Sequence, residues 1–137
     1  MSTTKRILVV DDEKGIRFLL HEALLREGFE VTLASDGQES LEKLQKDNFD
    51  LVITDINMPR LDGIEMLKNM KKTGRKEKVI IMTGNPSALR LPHKDLPDIV
   101  SQLPKPFMIE SLLSVVTAAM DAMEIPRENE LWHAATA

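Results

Sequence analysis

Five residues in this sequence carry groups that could act together: Asp11 and Asp12, Asp55, Thr83 and Lys105. Three carboxylates brought within reach of one another repel; two unit charges ~4 Å apart cost roughly 4 kcal/mol at an effective dielectric of 20. One lysine cannot neutralise three acids, whereas an oxygen-ligated divalent cation can. Mg²⁺ takes one or two carboxylates, keeps water, and shares the rest of its shell with a phosphoryl group. A metal, the Lys105 ammonium and the Thr83 hydroxyl would then offer three separate contacts to phosphoryl oxygens. Asp55, central among them, is the natural nucleophile, because carboxylates form acyl-phosphate intermediates. The chemistry indicated is phosphoryl transfer onto the protein itself.

Those residues can meet only if the chain places them at one edge. Residues 7–10 (Ile-Leu-Val-Val) form a short β-branched run suited to burial on both faces of a parallel sheet. Ile16, Leu19, Leu20, Ala23 and Leu24 follow at helical spacing, and Gly28 ends that helix. Further apolar runs at 29–34, 50–54, 79–82 and 99–103 alternate with helical patterns. One helix starts at Asp36-Gly37 with Leu41 and Leu44, and another at Asp62-Gly63 with Ile64, Leu67 and Met70. A last stripe of Ile109, Leu112, Leu113, Val116, Met120 and Met123 is ended by Pro126.

Strands alternating with helices, without hairpins, predict an α/β fold: a doubly wound parallel sheet of five strands with helices on both faces. In such sheets ligands bind beyond the carboxyl ends of the strands, where the winding reverses. Asp11 and Asp12 end the first strand, Asp55 the third and Thr83 the fourth, and Lys105 follows the fifth. All five converge if the strand order is 2-1-3-4-5.

Composition narrows the rest. The 137 residues suit a single domain, read as 1–124 with a tail over 125–137 that holds Trp132. The absence of cysteine excludes disulfide scaffolds, thiol catalysis and Cys-ligated zinc. A net charge of −4 argues against a nucleic-acid-coating surface. No apolar run nears the ~18 residues of a membrane span, and the N-terminus has no signal-peptide pattern, so the expected location is cytoplasmic. His21, His93 and His133 lack ligand spacing. Residues 71–76 read as a solvated basic loop, and Met66, Met70 and Met82 as core filler.

The ordered set Val9-Val10-Asp11-Asp12, Thr54-Asp55-Ile56-Asn57-Met58-Pro59 with Asp62-Gly63, Met82-Thr83-Gly84 and Lys105-Pro106-Phe107 resembles the response regulator receiver domains of two-component signalling. The resemblance covers about residues 5 to 124 and implies a flavodoxin-like sheet in the order 2-1-3-4-5. It implies that Asp55 accepts a phosphoryl group from a sensor histidine kinase or a histidine phosphotransfer protein, and that Mg²⁺ is bound by Asp12, Asp55 and the Asn57 carbonyl, with Asp11 acting through a water. Lys105 would pair with Asp55 or its phosphoryl group, Thr83 would move to hydrogen-bond it, and Lys105-Pro106 would be cis. Asn57 and Asn85 stand at positions that influence phosphoryl lifetime in this family.

Two features depart from the family pattern. The aromatic residue usual three positions before the lysine is Gln102, and five prolines (86, 92, 97, 104 and 106) crowd the region of the fourth helix. Pro92 and Pro97 would each cost an interior helix ~3 kcal/mol, so that helix is expected to be short, 3₁₀-like or replaced by loop. The resulting expectation is a stand-alone, non-enzymatic, Mg²⁺-dependent phosphoacceptor, serving as a switch for a downstream protein or as a phosphorelay intermediate, with no DNA-binding or enzymatic output domain. One alternative is a phosphate-independent interaction module on the same scaffold. The other, a phosphohydrolase, lacks the acid commonly found two residues after the nucleophile, where Asn57 stands. Taken singly the residues have plain readings: Asp12 as a helix N-cap, Asp55 as a turn residue, Thr83 as a strand exit, Lys105 as a solvated side chain. Their joint occurrence at matching strand ends favours the site.

Overall fold

The computed structural model describes residues 4–56, 58, 63–84 and 96–121. In chain order these form β1 (Arg6–Val10), α1 (Lys14–Arg26), β2 (Glu30–Ala34), α2 (Gly37–Lys46), β3 (Leu51–Asp55), α3 (Gly63–Lys72), β4 (Lys78–Thr83) and β5 (Ile99–Pro104), followed by a helix over 109–121, here α4. The strands pair in parallel in the order β2-β1-β3-β4-β5. The alternating pattern predicts the doubly wound parallel α/β sheet, and this strand order is the one that convergence of the five residues requires and that the resemblance implies.

The sheet is buried on both faces because its strands are apolar at successive positions. Leu8, Val10, Val52, Val79 and Ile81 point to one side and pack with Leu44 of α2 and Met66, Leu67 and Met70 of α3. Ile7, Val9, Leu51, Ile53, Ile80 and Met82 point to the other, against Leu20 and Leu24 of α1 and Leu112, Val116, Ala119 and Met120 of α4. All three methionines read as core filler are fully buried. In β2, at the sheet edge, only Ala34 is buried.

Local chemistry sets the helix ends. Gly28, at φ +91°, terminates α1 in a left-handed conformation that costs a glycine little. Asp36 caps α2 by accepting the Glu39 N–H at 2.8 Å, while the Glu39 carboxylate accepts the Ser35 N–H at 2.6 Å. The fourth-helix region (85–95), Asn57, Asn85, His93 and the 125–137 tail with Trp132 and His133 lie outside the described residues.

Candidate functional site

The first strand leaves the sheet at Val10, and the chain turns sharply before α1. Asp11 stabilises the turn, its Oδ1 accepting the Glu13 N–H at 2.8 Å, and its own N–H reaches the Ala34 carbonyl. Asp11 is fully buried, while Asp12 and Glu13 are exposed. The N-cap of α1 is Glu13, not Asp12, and its side chain makes no capping bond.

Asp55 closes β3, buried beside β1, and Thr83 closes β4, also buried. The loop after Asp55 is held against α3 by the Gly63 N–H, which donates to the Ile56 carbonyl at 3.0 Å. A Cβ at Gly63 would stand 2.3 Å from the Asp55 carbonyl oxygen and 2.5 Å from the Ile56 Cα. Only glycine lets α3 begin so close beneath β3.

Lys105 reaches across the sheet edge from the end of β5. Its N–H donates to the Thr83 carbonyl at 2.8 Å, and the Lys105-Pro106 peptide is cis. The ammonium donates to Asp11 Oδ2 at 2.7 Å, Asp55 Oδ2 at 2.9 Å and Glu13 Oε1 at 3.3 Å. An ammonium has three protons, and each has a carboxylate. Burial alone would lower the affinity of this lysine for its proton, but the hydrogen bonds and charges of Asp11 and Asp55 outweigh it, so the net shift is upward. For Asp11 burial wins: it lifts the carboxyl above the ordinary aspartate range, against the opposing pull of Lys105 and the Glu13 N–H and with a further push from the Asp55 charge.

The structure thus brings together Asp11, Asp55 and Lys105 by direct bonds and sets Asp12 and the strand-end Thr83 at the same edge. It adds Glu13, which the sequence reading did not single out. One carboxylate oxygen from each of Asp11, Asp12, Glu13 and Asp55 lies within 4.8 Å of the others. A cluster of oxygen donors with one lysine among them suits a hard cation such as Mg²⁺ rather than zinc or copper. The donor set fits the ion that the acid excess calls for. His21 lies outside this cluster, its Nδ1 3.2 Å from Glu22 Oε2.

Comparison with known proteins points the same way. The chain matches the family model of the response regulator receiver domain over residues 7–117. The response regulator MprA of Mycolicibacterium vanbaalenii is 38% identical over 116 residues, covering 84% of this chain and 50% of its own length. The chain spans about half the length of the curated relatives it matches. Among solved structures, the chemotaxis response regulator CheY4 of Vibrio cholerae is similar with a TM-score of 0.76 and 32% identity, covering 85% of this chain and 99% of that one. The response regulator TrrA of Thermotoga maritima, solved in complex with Mg²⁺ and BeF, has a TM-score of 0.75 and 37% identity over the same shares.

Proposed function

The chain belongs to the response regulator receiver family, and on that premise we propose that it is a Mg²⁺-dependent phosphoacceptor whose acceptor is Asp55. The observation that carries this reading is Lys105, whose ammonium bridges Asp11 and Asp55 at 2.7 and 2.9 Å from a strand 50 residues beyond the acceptor.

An Asp55 oxygen attacks the phosphorus of a phosphohistidine on a sensor histidine kinase or histidine phosphotransfer protein. The P–N bond breaks, an acyl-phosphate P–O bond forms, and the imidazole leaves with the electron pair and takes up a proton. Lys105, released from Asp55, pairs with a phosphoryl oxygen, and the Thr83 hydroxyl turns toward another. Asp12 and Asp55, with the Asn57 carbonyl and with Asp11 acting through water, would hold the Mg²⁺. When bound, that ion supplies the positive charge that offsets the acids and the phosphoryl oxygens.

Movement of Lys105 and Thr83 pulls on the loops after β3 and β4. That is the route by which occupancy reaches a downstream protein, with couplings that typically run 1–3 kcal/mol. Among the described residues no helix is long and apolar enough to cross a membrane, and a cytoplasmic location is part of the reading proposed here. The chemistry turns over only the protein's own acyl phosphate. The reading applies to the receiver unit, which in the curated relatives corresponds to about half of the chain.

A second reading, a phosphate-independent interaction module, draws on Gln102, which sits exposed on β5 where an aromatic residue is usual. One experiment separates the two. Incubated with a labelled small phosphodonor and Mg²⁺, the wild type takes up label and Asp55→Asn, folded normally by circular dichroism, takes up none. Equal labelling of that variant moves the acceptor elsewhere, and no labelling of either protein selects the interaction module.

A further inference from the structure

Glu13 is the residue at this edge whose position the phosphoacceptor reading does not use. It occupies the N-cap of α1 in an extended conformation, φ −87° and ψ 117°, yet its carboxylate leaves the helix N–H groups alone. The side chain runs instead along the sheet edge to lie 3.3 Å from the Lys105 ammonium, with one oxygen inside the 4.8 Å cluster formed with Asp11, Asp12 and Asp55. At 63% exposure it is also the most solvent-exposed of the three lysine partners, since the Asp11 and Asp55 side chains are 0% and 8% exposed.

Charge arithmetic gives this placement a consequence. Three aspartates and Lys105 sum to −2; with Glu13 they sum to −3. The extra negative charge attracts an arriving divalent cation. It also repels the anionic phosphoryl group and holds a proton of Lys105 that the phosphoryl oxygens need. Lys105 can give up its exposed bond to Glu13 at small cost, whereas breaking its bonds to buried Asp11 and Asp55 withdraws a counter-charge from carboxylates already removed from water.

We propose that Glu13 sets the balance between the two occupants of this pocket, strengthening the hold on the divalent cation and weakening the hold on the phosphoryl group. The proposal rests on the reading of Asp55 as acceptor and of the acid cluster as a Mg²⁺ site. A purely structural role for Glu13 would weaken both kinds of binding together; an electrostatic one moves them in opposite directions.

The test is Glu13→Gln, which keeps the size and hydrogen-bonding oxygen but removes the charge. Calorimetric titration with MgCl₂ at low ionic strength should give a dissociation constant raised about fivefold. Titration with beryllium fluoride at saturating Mg²⁺ should give one lowered about threefold. Both differences should shrink toward unity in 0.5 M salt, as about 4 Å of Debye length implies. Glu13→Asp keeps the charge while shortening its reach to Lys105, and should bind Mg²⁺ within twofold of the wild type. Unchanged binding of both ligands by Glu13→Gln, or changes in the same direction, would overturn the proposal. Failure of the wild type to bind Mg²⁺ at all would overturn the metal-dependent acceptor reading with it.

Discussion

At the carboxyl edge of the sheet four carboxylates cluster around one ammonium, which bonds three of them; at the amino edge the Arg75 guanidinium meets the Glu77 carboxylate as a matched pair. There Arg75 donates through Nε to Glu77 Oε1 at 3.1 Å and through Nη2 to Glu77 Oε2. It also binds the Leu44 and Asp47 carbonyls at 2.7 and 2.9 Å. Glu77 accepts the Phe49 N–H as well, at 3.2 Å. Beside them Arg6 lies over the Phe49 ring, 5.2 Å from its centroid, and donates to the Asn48 carbonyl. The side chains of Arg75 and Glu77 are 20% and 4% exposed, and together they tie the α2–β3 and α3–β4 connections.

The difference in stoichiometry is the lesson. A balanced pair with its hydrogen bonds filled locks backbone to backbone and has no use for an incoming ion. An excess of acid around one lysine sets like charges against one another, and an arriving cation relieves that repulsion. One edge is a clasp and the other, on the proposed reading, a receptacle.

Removing charge should therefore act with opposite sign at the two edges. The largest effect is expected for Arg75→Ala, which leaves the nearly buried Glu77 carboxylate without its counter-charge and should cost about 3 kcal/mol in urea denaturation. Adding Glu77→Gln to that variant should recover part of the loss, and labelling per folded molecule should be unchanged. A loss below about 1 kcal/mol would show that the pair at the amino edge is not the clasp described. The smaller effect is expected at the other edge, where Asp12→Asn in EDTA should stabilise the protein by about 0.5 kcal/mol, because one of the repelling charges is gone. In saturating Mg²⁺ the order reverses, since the wild type gains the cation's binding free energy and the variant largely does not. If Asp12→Asn is destabilising in EDTA, the carboxyl edge is not under the charge stress inferred here.

Much of this arrangement was legible in the sequence, and the exceptions have physical reasons. Unbroken apolar runs rich in β-branched residues, such as 7–10 and 79–82, marked the strands because both sheet faces are buried. The polar residues that interrupt those runs marked the edge. Lys105 was legible because a lysine directly after a strand sits at a defined place in a parallel sheet. Glu13 was not, because its reach depends on the turn that Asp11 locks and on the helix N-terminus declining its side chain. Arg75 was hidden in a run of exposed lysines, and only the fold brings the Leu44 and Asp47 carbonyls and Glu77 to it. Gly63 was read as a helix start; the close approach to Asp55 that makes glycine necessary there follows from how α3 docks beneath β3.

The most direct test is to locate the acyl phosphate chemically. Wild-type protein is incubated with a small phosphodonor, with Mg²⁺ or with EDTA, and reduced with borohydride, which converts a phosphorylated aspartate to homoserine. Peptide mass spectrometry should find homoserine at position 55 alone, and only when Mg²⁺ is present. Homoserine at Asp11 or Asp12, or equal conversion at position 55 in EDTA, would contradict the account.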